Sequence, residues 1–161
     1  MVKFITGILE ANDRPYNHFT NGKLTEMKAA PVTIVESPIF DEILSYKHHV
    51  VLVSPDETEL SKLGELFDAT PKSGMIVYPE KEAAIKVLAT KERADVQTLS
   101  YKTIPHEVKD GKIFLVSSTN EKFPVKLSAT MDLLLLAAAK ELVLKIGISS
   151  SQFYKTASTL E

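Results

Sequence analysis

Val50-Val51-Leu52-Val53-Ser54-Pro55-Asp56-Glu57 is a short, wholly apolar run that stops at a Ser-Pro pair and turns acidic. Leu60, Leu63, Leu66 and Phe67 then follow at helical spacing. A strand this apolar is expected to be buried on both faces, as parallel strands usually are. Ser54 with Glu57 reads as a capping box, with Pro55 at the first helical position. The same grammar stands on either side. Val32-Thr33-Ile34-Val35-Glu36 leads through Ser37-Pro38 into Ile39, Phe40, Ile43 and Leu44. Met75-Ile76-Val77-Tyr78 leads through Pro79-Glu80 into a helix expected to reach about Ala94. Three strand-Pro-helix units predict an α/β fold with helices packed on a mixed sheet, its central strands parallel.

Hairpins flank this centre. Asn21-Gly22 and Asp110-Gly111 are pairs favoured in two-residue turns, so 15–20 is expected to pair with 23–28, and 104–109 with 112–118. Residues 2–9, rich in β-branched and aromatic types, read as a further strand, as do 95–103. Thr119 to Lys122 reads as a surface turn. A long helix is expected over 129–146, capped by Ser128 or Thr130 and stopped by Gly147. The expected organisation is one α/β domain over 1–147 and a Ser/Thr-rich tail over 148–161, either flexible or held by Phe153 and Tyr154.

The chain of 161 residues is 44% hydrophobic and 25% charged, globular averages that argue against disorder or a coiled-coil rod. Lys and Arg number 19 against 21 Asp and Glu, and only Arg14 and Arg93 are arginines. Bidentate recognition of phosphate and guanine leans on arginine, so nucleic acid is disfavoured as a partner. Without cysteine there is no disulfide, thiolate nucleophile or Cys-ligated zinc. The N-terminal apolar run is too short for a signal peptide. The 133–146 stretch falls short of the roughly 20 residues a membrane span needs. A cytoplasmic protein is expected.

If the three units are neighbours in one sheet, their carboxyl ends gather Glu36, Asp56, Tyr78 and Glu80, with Ser37 and Ser54. These are weak catalytic candidates on an acidic rim suited to acid/base work or a divalent cation. The bland alternative makes the serines caps and the acids dipole partners. No glycine-rich loop precedes a helix, which argues against a dinucleotide fingerprint or a P-loop. Asp13, Arg14, Tyr16 and His18 form the densest cluster of functional side chains and read as a binding loop. The four histidines lack the spacing of a metal pair, so no metal site and no cofactor are expected. Glu107-Val108-Lys109 matches half of a nuclease pattern and is better read as an exposed hairpin.

In the long helix, Leu135, Leu142 and Ile146 lie on one apolar stripe, and Leu133, Ala137 and Leu144 on another. Covering both suggests a partner chain. The expectation is a noncatalytic interaction or regulatory protein, a homo-oligomer or one docked on a protein partner through Leu133, Ala137 and Leu144, of the sort a phage or other mobile element carries as an accessory. The alternative is a small α/β enzyme or ligand-binding protein using the acidic rim.

Overall fold

Residues 2–9 form helix, not strand. In the computed structural model, which describes residues 1–127 and 130–160, α1 spans Val2–Ala11. Its buried residues are Phe4, Ile5, Ile8 and Leu9, a helical spacing that outweighs the β-rich composition. Asn12 closes it, donating from Nδ2 to Ile8 O at 2.8 Å and to Thr156 Oγ1 at 3.0 Å.

The described residues gather in two compact units, one of 1–14 with 102–160 and the other of 15–101. The second unit opens with β1 (Asn17–Thr20) and β2 (Lys23–Thr25), joined through Asn21-Gly22 as the turn chemistry requires. Then come β3 (Thr33–Val35), α2 (Phe40–Ser45), β4 (Val50–Leu52) and α3 (Leu60–Asp68). β5 (Met75–Pro79), α4 (Ala83–Ala89) and β6 (Gln97–Tyr101) complete it. β4, β5 and β6 form a wholly parallel sheet in that order, with Val51 opposite Ile76 and Ile76 opposite Thr98. On it lies a core of Val51, Val53, Leu63, Leu66, Phe67, Ile76, Tyr78, Ile85 and Ala89.

The three strand-Pro-helix units do not share one sheet. β3 pairs in parallel with β1, Asn17 opposite Thr33, giving a mixed sheet ordered β2-β1-β3. The capping box at Ser54 is also absent. Ser54 Oγ donates to the Asp56 carboxylate, and the Glu57 carboxylate accepts from the amide of Glu59 at 2.7 Å. These local bonds hold 54–59 as a loop and delay α3 to Leu60. α4 ends at Ala89 and not near Ala94, because the Arg93 guanidinium takes the carbonyls of Leu88 and Ala89.

In the first unit, β7 (His106–Lys109) and β8 (Lys112–Val116) form the expected hairpin. β9 (Lys122–Val125) follows, where the turn at Asn120, φ 61°, reverses the chain and gives a third antiparallel strand. α5 spans Thr130–Lys145; the expected start at 129 and the Ser128 cap lie outside the described residues. Gly147, φ 97°, stops it, and the Ile148 amide returns to Val143 O at 3.0 Å.

Residues 148–160, read as a tail, carry α6 (Ser150–Ala157). Ser149 and Gln152 form its reciprocal capping box, and Phe153 and Tyr154 are both buried. α1 and α6 pack on α5. The fully buried side chains of this unit include Ile8, Leu9, Leu115, Leu136, Val143 and Phe153.

Candidate functional site

The carboxyl ends of β4, β5 and β6 form one edge, the side on which open parallel sheets take ligands. Hydrogen bonds continue past the strands there, Val53 N to Val77 O at 3.0 Å and Glu80 N to Tyr101 O at 2.9 Å. Tyr101, the last residue of β6, reaches across β5. Its phenol donates to Val53 O, the residue after β4, at 2.6 Å. That bond anchors the loop carrying Ser54, Pro55 and Asp56.

Burial pushes the Tyr101 phenol well above its ordinary value, and the charges of Asp56 and Glu82 push it further in the same direction. It therefore stays a neutral donor with two carboxylates in its field. Asp56 is exposed, and so are Glu80 and Glu82. Tyr78 is buried in the core of the unit, which makes it a packing residue of this edge.

Of the expected rim, the structure brings Asp56, Tyr78 and Glu80 to the same sheet edge. Glu36 is elsewhere, at the end of β3, where its Oε2 lies 3.2 Å from His18 Nε2. Ser37 Oγ donates to Glu42 Oε2 at 2.5 Å and accepts from the Ile39 amide at 3.0 Å, a local turn ahead of α2. Among the described residues no three His, Cys, Asp or Glu side chains come together in a way that could hold a metal ion. Two residues of the edge escaped the sequence reading, Tyr101 and Glu82. The available signal was the 95–103 strand: its carboxyl end belongs to the same edge as those of its parallel neighbours.

The expected binding loop is divided between the units. Asp13, at φ 52°, and Arg14 follow α1, and Arg14 Nη2 donates to Gly147 O at 3.3 Å. Tyr16 is buried in the second unit with its ring 6.3 Å from that of His18. His48 Nε2 pairs with Thr70 Oγ1 at 3.0 Å, and His106 Nδ1 donates to Ile104 O at 2.9 Å. Glu107 accepts from Lys122 at 2.6 Å on the exposed hairpin.

The residues reserved for a partner chain are placed differently. Leu133 and Ala137 are buried, at 2% and 3% exposure, in a helix on which α1 and α6 pack; Leu144 is half-buried.

No family model matches the chain, and no curated protein matches it. Solved structures do. A UDP-N-acetylmuramate:L-alanyl-gamma-D-glutamyl-meso-diaminopimelate ligase from Neisseria meningitides superposes with a TM-score of 0.75 at 10% identity, over 99% of this chain and 61% of that one. A UDP-N-acetylmuramoylalanyl-D-glutamyl-2,6-diaminopimelate–D-alanyl-D-alanyl ligase from Acinetobacter baumannii gives 0.70 at 12% identity, over 99% and 43%. The folylpolyglutamate synthase of Thermotoga maritima gives 0.62 at 9% identity, over 99% and 54%. The chain thus spans about three fifths or less of the length of these proteins. At such identities the likeness establishes an α/β fold shared with ligase chains.

It also corrects the expectation of a noncatalytic, self-associating regulator. That expectation rested on a helix face thought to need a partner's cover and on the lack of an evident catalytic constellation of residues. The cover comes from α1 and α6 of the same chain, and the fold is one that ligases use. No helix among the described residues is long and apolar enough to cross a membrane.

Proposed function

We propose that this chain is a domain of a ligase that joins an amino acid to a larger acid, in the broad class of the muramate and folate ligases. One observation carries the reading: 99% of the chain superposes on such a ligase with a TM-score of 0.75. The edge formed by β4, β5 and β6 supports it chemically. Its exposed side chains include the carboxylates of Asp56, Glu80 and Glu82, which attract an ammonium group, and the cation Lys81 between the two glutamates, which attracts a carboxylate. The residues also include no glycine-rich phosphate loop. The edge is therefore assigned to the amino-acid substrate, and the nucleotide seen as ADP in the related E. coli FolC complex is not assigned to it. Tyr101 acts as a positioning residue, holding the Asp56 loop through Val53 O.

The test is amide-resolved NMR of the chain titrated separately with diaminopimelate, D-glutamate and L-alanine, and with ADP as a contrast. Saturable shifts at residues 54–57, 80–82 and 101 are expected with at least one amino acid, and weaker ones in an Asp56→Asn, Glu82→Gln variant. If no amino acid moved that edge, or if ADP alone did, the assignment would be overturned.

A further inference from the structure

Among the described residues β7 pairs only with β8, which makes it an edge strand, and all four of its residues are exposed. The Val116 amide donates to Pro105 O at 2.8 Å, and these two residues stand opposite each other in the register that pairs His106 with Leu115. Hydrogen-bonded pairs alternate along an antiparallel ladder. Glu107 and Lys109 therefore bond to β8, while the N–H and C=O groups of His106 and Val108 point away from it. The outward groups of Val108 meet no backbone partner among the described residues.

The side chains of this edge are ordered about Val108. It is 67% exposed and heads an apolar row that continues through Ile113 to Val125. Glu107 and Lys109 lie on the other face of the sheet, because successive side chains alternate. There Lys109 is directly opposite Lys112 and forms no ion pair with a described residue. Glu107 is held by Lys122 at 2.6 Å and stays about half exposed, open to a second cation. Charges of one sign would blunt such an edge against pairing. Here the signs are opposite on the two sides of an apolar centre, so the edge is complementary to itself.

We propose that β7 pairs antiparallel with β7 of a second copy of this chain, about a two-fold axis at Val108. The outward N–H and C=O of Val108 then bond to those of the partner's Val108. Glu107 faces the partner's Lys109, and Lys109 faces the partner's Glu107. On one face the apolar row runs unbroken from one three-stranded sheet into the other, and on the opposite face the Lys109 and Lys112 pair gains a carboxylate. Neighbouring registers fail. Moving the axis to Glu107 sets two carboxylates directly opposite each other, and moving it to Lys109 does the same with two ammonium groups. The contact uses neither the α5 face, which α1 and α6 cover, nor the β4-β5-β6 edge, so it is independent of the ligase reading.

The test is sedimentation equilibrium of the full chain up to about 1 mM, since a contact between two such short strands belongs with the weak interfaces. The wild type is expected to dimerise reversibly. Glu107→Lys and Lys109→Glu, each alone, should weaken the dimer at least tenfold, because each sets like charges opposite at both ends of the contact. Mixed in equal amounts, the two variants should associate with each other, one supplying two acids and the other two bases. Val108→Pro should abolish the dimer and leave the hairpin folded by circular dichroism, since the N–H it removes bonds to nothing within the chain. A wild type that is monomeric at about 1 mM, a dimer indifferent to both charge variants, or no association in their mixture would each overturn the contact. Glu107 and Lys109 are exposed, so the charge variants test it even if Val108→Pro fails to fold.

Discussion

Arg93 and Asp68 join the ends of two helices. The Arg93 Nη2 lies 2.8 Å from Asp68 Oδ1 and its Nε 2.9 Å from the same oxygen, while Nη1 donates to the carbonyls of Leu88, Ala89 and Lys91. The same guanidinium sits 5.7 Å from the centre of the Phe67 ring. One cation thus closes α4 and ties it to the end of α3.

Removing it should be costly for a side chain so near the surface. Arg93→Ala is expected to destabilise by about 2 kcal/mol, the range for hydrogen bonds to a charged group, and Arg93→Lys to recover part of that. Urea denaturation checks both; a loss below about 0.5 kcal/mol for the alanine variant would refute the tie. Lys91, and then Arg93, hold the Asp68 carboxyl below its ordinary 3.8. Its contribution is therefore complete above that value and is lost as pH falls through the lower folded value.

Tyr101→Phe removes the bond to Val53 O and keeps the ring. A loss of about 1 to 2 kcal/mol is expected, since the buried carbonyl is left short of a donor. NMR should show the disturbance concentrated at 53–57, with β6 itself unshifted. Uniform small shifts with no change in melting temperature would mean that the bond does not position the loop.

His48 supplies a pH dependence. Burial lowers its pKa below 6.5, and the charge of the neighbouring His49 lowers it further. A depressed folded value means that the stability it contributes is present above 6.5 and is lost as pH falls through the folded value. Melting temperature should therefore decline from about pH 6.5 downward. His48→Gln, which keeps a donor for Thr70 but cannot titrate, should flatten that decline; an identical slope in the variant would place its origin elsewhere.

Gly74→Ala tests a close approach. A Cβ there would stand 2.6 Å from Thr70 Cγ2, 2.7 Å from Pro71 O and 3.1 Å from His49 O. Backbone oxygen cannot yield as a flexible side chain does, so a loss of at least about 2 kcal/mol is expected by thermal denaturation. Thr70→Ser made together with it should relieve only the methyl contact and restore little.

The fold was legible wherever turn chemistry or a bounded apolar run left one solution. Asn21-Gly22 and Asp110-Gly111 set their hairpins, and Val50–Leu52 and Met75–Pro79 run parallel as their two-sided apolarity implies. It was not legible where composition and period disagreed, as in Val2–Ala11, or where a local side-chain bond displaced a cap, as at Ser54. Sheet membership was hidden too. Nothing within Val32 to Glu36 says that its partner is β1 and not β4, so Glu36 was assigned to a rim it does not reach. Asp56 and Glu80 could be placed at the edge from their strands alone. Tyr101 could not, because its bond to Val53 O joins residues 48 apart.

The first compact unit is built from the two ends of the described chain, with 15–101 intervening. During synthesis α1 therefore leaves the ribosome well before α5, the helix on which it packs, has been translated. At about 5 to 20 residues per second the wait is on the order of ten seconds. Throughout it the face bearing Phe4, Ile5, Ile8 and Leu9 has no native cover, while 15–101 can complete its own core. The apolar face of α1 thus stays unshielded until α5 is made, which leaves this helix open to chaperone capture and early aggregation in the interval.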